Sequence, residues 1–148
     1  MRVSTLRGSR KLQRGAAALE FALVVPILIM LVFGVVDFGL MISNQAVFAN
    51  ASRDAARTGS FFGTKSEIET VVTSETKFLP TVSNVVVTVT CRKPGSPGTA
   101  CSSNYDAERE SGGTVIVNIS YTHNWLTPAL LGLPNTSVIT KTSEMRIE

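Results

Sequence analysis

The chain has few of the residues that enzymes use for chemistry. Its 148 residues include two cysteines and one histidine, so a zinc site or a histidine-based dyad has too few candidate ligands. No glycine-rich phosphate loop and no nucleophile-elbow motif occurs in the sequence. We therefore predict that the protein is not an enzyme and that it has no catalytic residue, no metal site and no cofactor.

Acidic residues are missing from residues 1–15, which contain the basic residues Arg2, Arg7, Arg10, Lys11 and Arg14. The chain has 14 basic and 11 acidic residues in all, so the part that follows is slightly acidic. A nucleic-acid-binding domain concentrates basic residues on its folded part, and we therefore predict no nucleic-acid partner. Basic residues before an apolar segment favour a cytoplasmic N-terminus and an exported remainder.

Charge is also scarce over residues 16–36, where Glu20 is the only charged residue. An apolar helix of this length is about 31 Å long and spans the hydrocarbon core of a bilayer. A signal peptide has a shorter apolar region that ends at a cleavage site. We therefore predict a transmembrane helix over residues 16–37, in which Pro26 produces a local kink or unwinding.

The helical pattern continues over residues 38–60 and predicts an amphipathic stem. Polar side chains such as Asn44 fall mainly on the opposite side of the helix. Gly59 or Gly63 is the natural end of the helix. The predicted apolar face comprises Phe38, Met41, Ile42, Gln45, Phe48, Ala49, Ser52, Ala55 and Ala56.

Residues 61–148 predict a small α+β domain. Ser66, with Glu69 three residues later, matches a capping box and predicts a short second helix that ends before Pro80. Three segments of alternating apolar residues then predict an antiparallel sheet, whose apolar face the stem and the short helix cover. The apolar positions are Ile68, Val71, Val72 and Phe78 in the helix, and Val85, Val87, Val89, Cys91, Val115, Val117, Ile119, Tyr121, Ile139, Met145 and Ile147 in the strands.

The two cysteines, Cys91 and Cys101, flank a segment rich in proline and glycine that includes Pro97. In an exported domain a local disulfide is the default. Closing a loop of about ten residues stabilises the fold by about 2–3 kcal/mol in the chain-entropy model. Two free thiols are the alternative.

Three further features leave alternatives open. The apolar segment Asn124–Pro134, which contains Trp125, fits either a lid over the core or a partner surface. The acidic residues at 106–110 fit a solvated loop, and the alternatives are a carboxylate pair for acid–base chemistry or a calcium site. His123 is either structural or exposed.

The stretch RGAAALEF, residues 14–21, resembles the cleavage region of a type IV prepilin, with a glycine before the cut and a glutamate five positions after it. The segment 14–60, with NASRDAARTG at 50–59, is similar to the TadE-like family of minor pseudopilins. That family belongs to the tight-adherence (Flp, type IVb) pilus system of bacteria. A weaker resemblance covers residues 114–148. The resemblance implies a pilin-like fold, with a long N-terminal helix on a small antiparallel sheet.

The resemblance also implies that a prepilin peptidase cuts between Gly15 and Ala16, which makes residues 1–15 a cytoplasmic leader peptide. Glu20 and Phe21 then begin the mature helix, and the main Flp pilins have tyrosine in place of Phe21. In pilin assemblies this glutamate neutralises the new amino terminus of a neighbouring subunit. Because a buried carboxylate without a partner is unfavourable, Glu20 would set the register of assembly. Snorkelling to the lipid headgroups is the alternative.

We therefore expect a minor pseudopilin that takes part in assembly of a tight-adherence pilus. The expected partners are a prepilin peptidase, other pilin and pseudopilin subunits, the inner-membrane pilus assembly platform and the lipid bilayer. We expect a single-pass protein of the bacterial inner membrane, with a cytoplasmic N-terminus and residues 61–148 in the periplasm. The alternative is a signal-anchored periplasmic binding or scaffold domain that keeps its leader, stays outside any fibre and recruits a partner through residues 92–113.

Overall fold

A computed structural model describes residues 9–95, 98–102, 104–130 and 134–148, without the side chains of residues 9–14, 129 and 130. The predicted α+β fold is confirmed: a long N-terminal helix, a short second helix and a three-stranded antiparallel sheet. Part of the predicted leader, Pro97 and residues 131–133 lie outside the described ranges. The elements are α1 (Ser9–Ser60), α2 (Lys65–Thr76), β1 (Val82–Arg92), α3 (Tyr105–Glu108), β2 (Thr114–Asn124), α4 (Thr127–Leu130) and β3 (Thr136–Arg146).

Helix α1 is one continuous helix from Ser9 to Ser60, so the predicted transmembrane segment and stem form a single element. It begins within the predicted leader, before Ala16. The backbone stays helical through Pro26, so the chain does not unwind there. A proline removes one backbone hydrogen bond from the helix, and the kink expected at this position stays a prediction.

The sheet has the order β1-β2-β3, and both strand pairs are antiparallel. The central strand β2 alternates between buried and half-buried side chains along its whole length. Val115, Val117, Ile119 and Tyr121 are fully buried, on the face that the sequence predicted.

Strand β1 changes phase at a bulge over residues 83–86. Val87, Val89 and Cys91 contribute to the core, as predicted. Val85, which was assigned to the same face, lies at the bulge and is 39% exposed. A bulge inserts an extra residue and so interrupts the two-residue alternation of the strand.

Strand β3 carries two inward polar residues that interrupt its apolar pattern. Lys141 donates from Nζ to Oε1 of Gln45 at 3.3 Å, and the Ser143 and Ser52 hydroxyls are 2.8 Å apart. Gln45 and Ser52 lie on α1, so these polar pairs hold the strand against the helix. Ile147, which follows the strand, is buried.

The buried face of α1 differs from the predicted one. Phe38 and Ile42 are exposed, and Asn44 is buried. The ring of Phe48, on the buried face, stacks on Tyr121 with the centroids 3.8 Å apart, and Phe38 and Ile42 lie about 80° and 120° around the helix from it. The buried residues of α1 are Asp37, Asn44, Phe48, Ala51, Ser52, Ala55, Ala56, Gly59 and Ser60.

The N-cap of α2 lies two residues earlier than the predicted one. Thr64 is the N-cap, and its side chain and that of Glu67 form the capping box. The prediction of a box at Ser66 was wrong because two overlapping Ser/Thr-x-x-Glu patterns occur here, and Glu69 pairs with Lys65 instead. Ile68 and Val72 are buried, as predicted, whereas Phe78 lies beyond the helix and is 84% exposed.

Candidate functional site

The first part of α1 exposes apolar side chains on all sides. Between Leu19 and Val36 the exposed large apolar residues range from 41% to 71% exposed. Of the helices that the structure describes, α1 alone is long and apolar enough to cross a membrane. Soluble monomers do not expose an apolar surface of this size, so the helix is consistent with a single-pass membrane anchor.

The residues predicted for processing and register lie together on this exposed part of α1. Ala16 and Glu20 are four residues apart, and their side chains share a helix face separated by one turn, about 6 Å. Phe21 is 71% exposed. A β-carbon added to Gly15 would meet no atom within 4 Å. Gly15, Ala16, Glu20 and Phe21 therefore lie together on the exposed part of α1. Their roles in processing and in register stay predictions.

Asp37, which ends the apolar run, is buried and has a role that the sequence analysis missed. It is only 3% exposed. Its carboxylate accepts hydrogen bonds from the backbone N–H of Leu126 at 3.1 Å and of Thr127 at 2.7 Å. These N–H groups lie at the start of α4, which has no earlier helical turn to satisfy them. Asp37 therefore ties the segment after β2 to α1 at the point where the exposed apolar surface ends.

Asn44 and His123 form a buried polar contact further along the same stripe. Nδ2 of Asn44 lies 3.3 Å from the carbonyl oxygen of Pro80, 3.2 Å from Oγ1 of Thr81 and 3.4 Å from Nδ1 of His123. The amide has two hydrogens for these three neighbouring atoms, and a neutral imidazole ring offers Nδ1 as an acceptor. Burial lowers the pKa of His123, and the nearby carboxylate of Asp37 partly opposes this shift. His123 is therefore structural.

Trp125 lies between the buried His123 and the exposed Phe38. Its Nε1 donates to Oγ of Ser137 at 2.9 Å, and its ring is edge-on to His123 at 4.7 Å. Phe38 lies on its other side, with the ring centroids 6.2 Å apart. Leu126 is 48% exposed. The part of the apolar segment whose side chains the structure describes is thus half lid and half surface, between the two predicted alternatives.

Cys91 and Cys101 are bridged, with their Cα atoms 5.2 Å apart. The backbone N–H of Cys101 also donates to the carbonyl oxygen of Cys91 at 2.8 Å. The disulfide expected in an exported domain is therefore present, at the end of the sheet where β1 finishes and β2 begins.

The acidic residues at 106–110 make structural contacts. Asp106 accepts from the backbone N–H of Lys65, at the start of α2, and pairs with Arg109. Arg109 in turn donates to the carbonyl oxygen of Gly63 at 3.0 Å. Hydrogen bonds from Ser102 lower the pKa of Glu108. Across the described ranges, no group of three or more His, Cys, Asp or Glu side chains is placed to hold a metal ion.

A family model described as TadE-like protein matches residues 15–57 of this chain. Residues 15–57 are a TadE-like region. The match begins at the predicted cleavage glycine, includes Asp37 and Asn44, and ends two residues before Gly59. It therefore covers both the exposed apolar part of α1 and most of the part that packs on the domain. The resemblance to the TadE-like family is confirmed over this range. Among curated proteins and solved structures there is no significant match.

The buried contacts of this TadE-like region were missed for a physical reason. Asp37 and Asn44 are seven residues apart, which places both on one helix face, in line with Phe48. That spacing was a usable signal, because a polar residue in an apolar stripe requires a buried partner. The partners themselves, Leu126 and His123, lie far away in sequence, and no local pattern reveals them.

Proposed function

We propose that this chain is a minor pseudopilin that takes part in assembly of a tight-adherence (Flp, type IVb) pilus. The observation that carries the proposal is the single helix α1, which is exposed and apolar before Asp37 and packs one face against the domain from Asp37 onward. An ordinary anchor needs no rigid connection to its domain. A subunit that moves from lipid into a bundle of like helices needs such a rigid connection, because the helix must carry the domain with it.

Glu20 supports the same proposal from a different direction. Its carboxylate is exposed near the start of the apolar surface, where a charge is costly and usually faces a partner. Cleavage before Ala16 would create an amino group of opposite charge one helical turn away on each subunit. Pairing of this amine with Glu20 of a neighbouring subunit satisfies both charges at one register and leaves them unpaired at others.

In this proposal a prepilin peptidase cuts after Gly15, and the mature chain stays in the inner membrane with its domain in the periplasm. Other pilin and pseudopilin subunits and the inner-membrane assembly platform are the partners that pack against α1. The family match supports this assignment through its link to the Tad pilus system.

The N-terminus of the native protein tests the proposal. In a strain with an active prepilin peptidase, mass spectrometry should find a chain that begins at Ala16. Gly15→Ala should leave the chain uncut and heavier by the leader. The substitution tests peptidase recognition rather than folding, because the added methyl group meets no neighbouring atom.

Gly34→Ala is the matched control, since Gly34 lies on the same helix with equally open surroundings. This variant should be processed normally. A native chain that begins at Met1 would contradict the proposal and would support a tethered periplasmic binding or scaffold domain.

A further inference from the structure

Three apolar side chains form a surface patch at the end of the exposed part of α1. We call Phe38, Trp125 and Leu126 the membrane-edge patch. Phe38 is 58% exposed and Leu126 is 48% exposed, and the Phe38 and Trp125 rings lie 6.2 Å apart. The patch therefore joins α1 to the segment after β2 in one apolar surface.

The position of this patch along α1 is fixed. Both carboxylate oxygens of Asp37 accept from the backbone N–H of Leu126 at 3.1 Å. Phe38 directly follows Asp37 in the helix. Leu126 therefore lies at the same height on α1 as the last residue of the proposed transmembrane segment, 16–37.

The chemistry of the patch fits the headgroup region of a bilayer. Trp125 has an apolar ring next to Phe38 and a polar N–H that is already satisfied by Ser137 at 2.9 Å. Tryptophan is enriched at membrane–water interfaces because one side of the ring is apolar and the other polar. None of the three side chains carries a charge, and Leu126 extends the apolar surface outward from the helix.

We propose that the membrane-edge patch inserts into the interfacial layer of the bilayer and holds the domain against the membrane. The occupant is lipid rather than another protein because the patch is continuous, through Phe38, with the surface that lipid covers. This inference rests on the membrane-spanning placement of α1 in the proposed function. It adds a second contact with the membrane, formed by a loop distant from α1 in sequence.

The single tryptophan of the chain makes the inference directly testable. The full-length protein is reconstituted into phosphatidylcholine vesicles that contain lipids brominated either near the headgroup or near the acyl end. Bromine quenches tryptophan fluorescence at short range. We expect quenching of Trp125 that is stronger with bromine near the headgroup.

Two relocated reporters supply the controls, each in a Trp125→Phe background. Phe33→Trp places the reporter within the proposed transmembrane segment, and it should be quenched. Phe61→Trp places it at the other end of the stem, about 35 Å beyond Phe38, where the native side chain is 61% exposed. This reporter should not be quenched.

The outcomes separate the inference from the proposed function. If Trp125 is not quenched while Phe33→Trp is, the patch stands off the membrane and the inference is overturned, whereas the transmembrane placement stands. If Phe33→Trp is also not quenched, α1 does not span the bilayer, and both proposals fail. The decisive reporter is native, so its result does not depend on the folding of the variants.

Discussion

Glu20 and Asp37 are two carboxylates near opposite ends of the apolar part of α1, and their surroundings are opposite. Glu20 is exposed on a helix face that the domain does not cover. Asp37 is buried and accepts three hydrogen bonds from the backbone of the segment after β2. One charge is thus satisfied within the chain, whereas the other remains available for a contact between subunits.

Replacing Glu20 should separate membrane insertion from assembly. Glu20→Gln keeps the size of the side chain and removes the charge, so the chain should still insert in the membrane. Piliation should be strongly reduced, because an unpaired buried amine costs on the order of 3–5 kcal/mol. Counting pili by electron microscopy, with immunoblots of the membrane fraction, measures both properties.

Glu20→Asp is the matched control for this experiment, because it keeps the charge on a shorter side chain and should retain part of the piliation. Wild-type piliation in Glu20→Gln would rule out the role of this residue in setting register.

His123 should make the stability of the domain depend on pH. Its pKa is lowered in the folded protein by burial. As the pH falls, the unfolded chain therefore binds a proton at a higher pH than the folded protein does. The stability that the neutral ring provides is complete above the unfolded pKa, about 6.5. It is lost as the pH falls below that value toward the folded pKa.

Thermal unfolding of the full chain in detergent, followed by Trp125 fluorescence, measures this effect. The melting temperature should fall between pH 7.5 and pH 5. His123→Gln keeps a neutral acceptor for Asn44 and should show a smaller fall over the same range. Equal pH dependence in the two proteins would assign the effect to other groups.

At the scale of elements, the second half of α1 uses small residues to approach the sheet and α2 closely. Ala51, Ala55 and Ala56 are fully buried. Gly59 is the closest contact: a β-carbon there would lie 2.8 Å from Cγ2 of Val115 and 3.1 Å from Cδ1 of Ile68. Val115 is itself fully buried on the central strand and has little room to move.

Gly59→Ala should therefore destabilise the domain. The added methyl overpacks the contact between α1 and β2, at a cost of typically 1–3 kcal/mol, which outweighs the gain of up to about 1 kcal/mol from the better helix propensity of alanine. Chemical denaturation of the full chain in detergent should show a net loss of about 1–2 kcal/mol.

Gly39→Ala provides the comparison for this variant, because a β-carbon at Gly39 meets no atom within 4 Å. It should be neutral or slightly stabilising. A Gly59→Ala protein that is as stable as Gly39→Ala would show that the contact at Gly59 can relax.

The elements were predictable from sequence where one local pattern dominated. The two-residue alternation of β2 fixes its buried face because the strand is regular and central. The same reasoning does not predict the exposure of Val85, which lies at a bulge in β1. It also failed at Ser66, where a second capping pattern at Thr64 competes. Such choices depend on long-range packing, which a local pattern does not contain.

The candidate site was predictable to a similar extent. The segment around Gly15 and Glu20 was recognised from its motif, and the family match begins there. The membrane-edge patch was not, because its residues come from two distant parts of the chain. The apolar character of the segment around Trp125 was visible in the sequence, but its position beside Phe38 depends on the hydrogen bonds to Asp37.

At the scale of the whole molecule, the disulfide and the contact with Asp37 lie at opposite ends of the domain. Strand β2 begins beside Gly59, near the disulfide, and the segment after it returns to Asp37. The bridge between Cys91 and Cys101 therefore lies far from the proposed membrane surface. It closes a loop at the end of the domain that, in the proposed placement, faces away from the bilayer.

Reduction of this disulfide should destabilise the domain by about 2–3 kcal/mol. For a domain of this size the melting temperature should fall by roughly 10–20 °C. The double variant Cys91→Val, Cys101→Ser should melt near the temperature of the reduced protein, and a reductant should not change it. A wild-type melting temperature that is insensitive to complete reduction would contradict this stabilisation.

Strand β3 has a consequence for the order of events during synthesis. It packs on α1 through Ser143 and Lys141, and the backbone N–H of Glu148 donates to the carbonyl oxygen of Ser60 at 2.9 Å. The ribosome makes α1 early and β3 late, so the part of α1 that β3 covers stays uncovered until β3 has been made. In the proposed topology, β3 therefore completes the cover of α1 only after it has itself been exported, while the nascent protein is already inserted in the bilayer.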